Sequence, residues 1–164
     1  MKTGKIENLS ASLEDYLEAI FNLLEEKTVA RSKDIAEQLG VTRASVTGAL
    51  RNLAEKELIY YKPYGYVTLT EAGMRLAARV ARRHQVLHSF FADILGLEEK
   101  MSQEAACRTE HTLGPEIINR LTVFIEFVTR QGADGSDLAA DFKKFHRSND
   151  NHYPIGGSDS SGRG

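Results

Sequence analysis

Apolar residues recur at helical spacing through most of this chain, and the breaks between runs set out an order of elements. In "SLEDYLEAIFNLLEE" (12–26), Leu13, Leu17, Ile20 and Leu24 form one stripe, with Ser12 as a candidate cap and Asp15 three residues on. In the next segment, Ser32 is placed to cap a short helix with Ile35, Ala36 and Leu39 inward, and Gly40 ends it where a left-handed residue is favoured. Thr42 then caps a helix whose apolar face is Val46, Ala49, Leu50 and Leu53. Two short helices about a glycine turn predict a helix-turn-helix. "LIYY" and "YVTL" alternate like strands around Lys62, Pro63, Tyr64 and Gly65, and so predict a hairpin wing.

Beyond the wing the pattern is helical throughout. Thr70 caps a long helix over about 71–95 with Leu76, Val80, Leu87, Phe91 and Ile94 on its core face, and Gly96 breaks it. Ser102 is the candidate cap of a helix carrying "ACRTEH", and Gly114–Pro115 stops one helix and starts another. "EIINRLTVFIEFV" (116–128) is the most apolar stretch and predicts a buried or dimer-forming surface. A short amphipathic segment near Leu138–Phe145 and a Gly/Ser-rich tail follow. The expected fold is mainly α: a winged helix-turn-helix over 8–72, a helical domain over 73–146 and a flexible tail over 147–164.

Composition narrows the function. With 164 residues and 41% hydrophobic content, the chain can bury one core or two small ones. Cys107 is the single cysteine, which excludes an intramolecular disulfide and suits a reducing compartment. No signal-type apolar region and no long uncharged run is present, so the cytoplasm is expected and no membrane partner. A net charge of −2 requires any nucleic-acid binding to come from local patches. Such a patch is available: Thr42, Arg43, Ser45, Thr47 and Arg51 face away from the apolar side of the recognition helix. Arg31 and Lys33 precede the first helix of the motif, and Lys62 and Tyr64 stand at the wing tip. Each taken singly is an ordinary solvated side chain; together, in this motif, they predict a DNA-binding face.

A second set of residues points to a metal. Cys107, Glu110 and His111 span about 100° of a helical wheel, so a thiol, a carboxylate and an imidazole can converge. The plain alternative is a buried cysteine beside a surface Glu–His pair. His84 and His88 share a face of the long helix, and Asp15 and Glu18 share a face of the first helix opposite its apolar stripe. Singly, the first pair reads as satisfied histidines and the second as a solvated acidic face. Together they form a mixed hard and borderline donor set, suited to divalent manganese or iron more than to a closed zinc cage; Zn(II) or Co(II) can still bind in vitro.

Five segments in order, "SLEDYLEAIFNLLEE", "SKDIAEQLGVTRASVTGALRNL", "GYVTLTEAG", "RRHQVLHSFFADILGL" and "EAACRTEHTL", resemble the diphtheria toxin repressor family, including its manganese transport regulator branch. The resemblance runs from about Ser10 to Val128. It implies a homodimeric repressor, activated by Fe(II) or Mn(II), whose helical domain dimerises and binds metal. It also implies that Asp15, Glu18, His84, Glu110 and His111 are ligands. Cys107 matches the cysteine of the iron branch, and His88 falls where that branch has a carboxylate ligand. Gln103 stands where the iron branch has a histidine, and too few residues follow Val128 for that branch's SH3-like domain. The first helix thus follows the manganese branch and Cys107 the iron branch.

The expected mechanism is that carboxylates gathered from Asp15, Glu18 and Glu110 repel one another until a cation neutralises them. Metal would then hold the two recognition helices of a dimer about 34–36 Å apart, or a multiple, to reach successive major grooves of operator DNA. Two other readings stay open on the residues alone: a winged-helix regulator of a small organic ligand, and a metal-dependent hydrolase. The hydrolase leaves the helix-turn-helix unexplained, and no nucleophile elbow or phosphate loop is visible; neither an enzyme nor a small-molecule substrate is expected.

Overall fold

A computed structural model describes residues 9–27, 29–62, 65–130 and 137–149. Tyr64 and residues 150–164 of the expected tail lie outside the described residues. The chain divides into two compact units, Met1–Gln85 and Val86–Gly164.

In the first unit, α1 (Ala11–Glu26), α2 (Ser32–Leu39) and α3 (Arg43–Glu55) precede a hairpin of β1 (Ile59–Tyr61) and β2 (Val67–Leu69), and α4 (Glu71–Ser89) follows, its residues from Val86 on belonging to the second unit. The start of α1 corrects the expected cap: Ser10, not Ser12, accepts the Leu13 N–H, because the first helical turn is already formed at Ala11. Arg31, not Ser32, is the boundary residue of α2 and makes no side-chain cap, Ser32 being already helical. Gly40 closes α2 at φ 64°, with the Val41 N–H reaching back to the Ala36 carbonyl at 3.0 Å. Thr42 Oγ1 accepts the Ser45 N–H at 3.2 Å and so starts α3 as expected.

The two strands run antiparallel, pairing Ile59 with Leu69 and Tyr61 with Val67, and Ala30 adds a bridge to Val67. Leu17, Ile20, Ile35, Val46, Leu50, Leu53, Leu58 and Val67 are fully buried in one core. Each such aliphatic side chain contributes about 1.5–3 kcal/mol. Thr70 ties the wing to α4: its hydroxyl donates to the Glu57 carbonyl (2.8 Å) and accepts the Gly73 N–H (3.0 Å). Gly73 lies against the Leu58 backbone, and an added Cβ would overlap the Leu58 carbonyl oxygen.

The long helix does not stay α-helical to residue 95. At Phe90–Ile94 it widens into a π-helical turn, with the Leu95 N–H bonded to the Phe90 carbonyl five residues back. The widening accommodates two adjacent aromatic rings, Phe90 and Phe91, packed edge-on at 5.6 Å, with Phe90 also edge-on to Phe124. The second unit contains this turn, α5 (Glu99–Thr109), α6 (Pro115–Thr129) and α7 (Leu138–Asn149). Its core is Leu87, Ala106 and Ile118, with Val86, Phe91, Leu113 and Leu121 packed around them. Ser102 is not the cap of α5. The helix starts at Glu99, and buried Ser102 lies within it, its hydroxyl donating to the Glu98 carbonyl at 3.0 Å. α7 continues through Asn149, three residues into the expected tail. No helix among the described residues is long and apolar enough to cross a membrane.

Candidate nucleic-acid interface and metal-binding residues

The turn between α2 and α3 and the short wing place five of the residues expected at DNA around one hollow of ≈ 650 Å³ in the first unit: Arg31, Lys33, Arg43, Thr47 and Arg51. Arg31, Lys33, Arg43 and Arg51 are all exposed. Four cations on one concave surface, in a chain of net charge −2, make a local positive face suited to a phosphate backbone. Thr42 and Ser45 do not line the hollow. Their hydroxyls bond to each other at 2.9 Å while Thr42 caps α3, so they serve the helix start. The Thr47 hydroxyl donates to the Arg43 carbonyl at 2.9 Å. Lys62 is exposed but does not line the hollow.

Two aromatic residues of this face were not singled out from the sequence. Tyr61 and Tyr66 also line it. Arg31 Nη2 donates to the Tyr66 hydroxyl at 3.3 Å, and its guanidinium lies 5.1 Å from the Tyr66 ring centroid. The signal was present in "GYVTL", where an aromatic residue opens β2 beside the basic segment. The Ala30–Val67 bridge makes Arg31 and the wing neighbours.

The expected metal ligands are placed as follows. On α1, Asp15 and Glu18 are half-buried rather than solvated. Glu18 and His84 line one hollow of ≈ 530 Å³ within the first unit, and a carboxylate oxygen of the one lies within 4.8 Å of a ring nitrogen of the other. Two donors each about 2.2 Å from a shared ion stand up to about 4.4 Å apart, so this pair fits a divalent cation after little movement. In the second unit α5 ends at Thr109 and Glu110 is its C-terminal boundary. Glu110 is 1% exposed, and its Oε1 lies 3.3 Å from His111 Nε2. A carboxylate this deeply withdrawn from water is unfavourable without a compensating positive charge. Cys107 is exposed, so the buried-cysteine reading is not found. His88 Nε2 is 3.1 Å from Glu99 Oε1, in a pair linking α4 to α5.

A winged helix with a cationic recognition face, followed by a helical unit, and donors of the oxygen-and-imidazole type define a class: DNA-binding regulators that respond to a divalent metal. Comparison with known proteins gives the family. Residues 8–67 match the N-terminal DNA-binding domain of iron dependent repressors, and residues 70–137 match their metal binding and dimerisation domain. The chain belongs to the iron-dependent repressor family and is a metal-dependent transcriptional regulator. It is 35% identical over 119 residues to an uncharacterized HTH-type transcriptional regulator of Methanocaldococcus jannaschii, covering 72% of this chain and 95% of that one. It is 34% identical to the HTH-type transcriptional regulator MntR of Bacillus subtilis, covering 84% of this chain and 96% of that protein. Among solved structures, it resembles a manganese-dependent transcriptional repressor in complex with manganese (30% identity, TM-score 0.65) and IdeR of T. acidophilum (29%, TM-score 0.64). These matches cover 76% and 73% of this chain but only 60% and 56% of those longer chains.

The Arg43 side chain tests the DNA face. Arg43→Ala should weaken operator binding while leaving metal affinity of the free protein unchanged. If Arg43 reads a base, discrimination against a mismatched operator falls by about 1–3 kcal/mol; if it holds phosphate, affinity falls evenly across sequences and the salt slope shrinks by about one. Binding isotherms over a salt series distinguish these outcomes, and an unchanged isotherm removes Arg43 from the interface.

Proposed function

We propose that this chain is a homodimeric, cytoplasmic repressor that binds operator DNA when Fe(II) or Mn(II) is bound. The observation that carries the reading is the cationic hollow over α3, with Arg31, Lys33, Arg43 and Arg51 on one face. Asp15, Glu18, His84, Glu110 and His111 are the proposed ligands, with Cys107 as a further donor. His88 would have to leave Glu99 to serve. MntR and the manganese-bound repressor structure support the manganese reading, and the iron-repressor family models and the thiol of Cys107 support iron. Metal occupancy and operator binding would then be mutually reinforcing, as linkage requires.

The homodimer is supported by α6. Although it is the most apolar helix, only Ile118 and Val128 are buried, while Val123 and Phe127 are each 65% exposed and Phe124 is 45% exposed. An apolar stripe of this kind in a dimerisation-domain family suits a second copy of the chain.

The direct test is operator binding against Mn(II), Fe(II) under anaerobic conditions, Zn(II), Co(II) and a chelator. Metal should tighten binding by about 100-fold relative to chelator, within the usual range of coupling free energies. Equal affinity with metal and with chelator would sink the co-repressor reading, and turnover of a small substrate by the metal-loaded protein would favour the hydrolase instead.

A further inference from the structure

Two charged residues that no ligand assignment uses stand directly beside proposed ligands. Glu14 precedes Asp15 on α1 and lies one helical turn before Glu18; Arg83 precedes His84 on α4. Arg83 Nη2 donates to Glu14 Oε2 at 2.6 Å, and the two side chains are only 24% and 14% exposed. Other arginine–glutamate pairs differ in kind: Arg75 with Glu71 and Arg120 with Glu116 lie within one helix and are largely solvated. Such pairs contribute little. The Glu14–Arg83 pair instead joins two helices 69 residues apart in sequence.

Its place along α4 gives it a task. The beginning of α4 is anchored by apolar contacts, since Leu76 and Ala77 belong to the same core as Leu17 and Ile20 of α1. After Val80 no apolar residue of α4 is buried until Leu87. His84 therefore lies one turn beyond Val80, the last buried apolar residue on this part of α4. At this level of the helix Glu14–Arg83 is a short, shielded polar contact to α1. Arg83 Nε is also withdrawn from water without a hydrogen-bond acceptor among the described residues. Burying a donor in that way is unfavourable, so the guanidinium is held there by what its other end does.

We infer that the Glu14–Arg83 ion pair is a positioning device, holding α1 and α4 at the separation at which Glu18 and His84 can take up one cation. The inference rests on the proposed metal reading and deepens it. A pair that pre-sets the donors lowers the reorganisation needed on binding. The competing account is a plain field effect: the Arg83 charge repels a dication and the Glu14 charge attracts it. The two accounts differ in sign for Arg83.

The test is Mn(II) affinity of the full chain without DNA, read from the electron paramagnetic resonance signal of the free ion, for wild type, Arg83→Met, Glu14→Gln, the double variant and Arg83→Lys. Metal-free circular dichroism melts check folding. Positioning requires Arg83→Met and Glu14→Gln each to weaken Mn(II) binding by roughly tenfold, with the double variant no weaker than either. It also requires Arg83→Lys to recover part of the loss. Should Arg83→Met fail to fold, Glu14→Gln and Arg83→Lys carry the same test. Tighter binding in Arg83→Met, or variants that match wild type, would overturn the inference and leave the repressor reading intact. A wild-type chain that takes up no Mn(II) or Fe(II) would end both.

Discussion

Glu110→Gln is expected to abolish metal-stimulated operator binding while leaving the metal-free protein at least as stable as wild type. The two halves of that outcome have one cause. Glu110 is 1% exposed, and its carboxylate faces His111 at 3.3 Å. Without a cation, an ionised group so far from water carries a desolvation penalty of several kcal/mol that its neighbours must offset. Glutamine has nearly the same shape and no charge, so the metal-free fold loses that penalty. With a divalent ion the balance reverses, because a neutral amide oxygen is a much weaker partner for the cation than a carboxylate. The check is a thermal melt with and without Mn(II), alongside operator binding. Wild type should show a metal-dependent rise in Tm and the variant should show none. A variant that keeps its metal response would remove Glu110 from the site; one that unfolds without metal would show that the carboxylate serves the fold.

Gly73→Ala is expected to unfold or severely loosen the winged-helix unit. An alanine Cβ there would overlap the Leu58 carbonyl oxygen and come within 2.9 Å of its carbonyl carbon. Both atoms are backbone, and the Leu58 carbonyl also accepts the Thr70 N–H at 3.0 Å. Neither the first turn of α4 nor the strand entry can therefore shift alone. Overpacking against a mobile side chain costs about 1–3 kcal/mol; against fixed backbone the top of that range or more applies, a large share of a typical domain's 5–15 kcal/mol. Urea unfolding followed by circular dichroism measures it, and operator binding should fall with it, metal or no metal. A variant with the wild-type midpoint would mean that α4 and β1 can separate freely. The glycine runs against local preference, since alanine favours a helix by about 1 kcal/mol over glycine. Its presence records a close approach between elements.

Features whose causes lie within a few residues were legible in the chain. The glycine stop of α2, the threonine cap of α3, the hairpin and the Gly114–Pro115 boundary each follow from local backbone chemistry. The helix-turn-helix, and with it the basic recognition face, could be read from them. Where serines flank one helix start on both sides of Ala11, as Ser10 and Ser12 do, local rules do not choose, and the start at Ala11 decides for Ser10. At Ser102 the serine sits in a helix already begun at Glu99, its hydroxyl turned back to the carbonyls before it.

The proposed donor set is a reading from chemistry. Carboxylates, imidazoles and a thiol at helical spacing announce a metal, and the family resemblance assigns them. Which donors share surroundings was decided only by the tertiary structure. The helical wheel brings Cys107 and Glu110 to one side, and the fold leaves the thiol exposed while it buries the carboxylate. Asp15 and Glu18, which taken alone read as a solvated acidic face, are half-buried. Tyr66 joins the DNA face through a strand bridge to Ala30, and Arg83 meets Glu14 across 69 residues of chain. A residue's type and the period of its neighbours are properties of the sequence within a turn or two. Burial and partnership are set by which distant segments pack together, and no local rule carries that information.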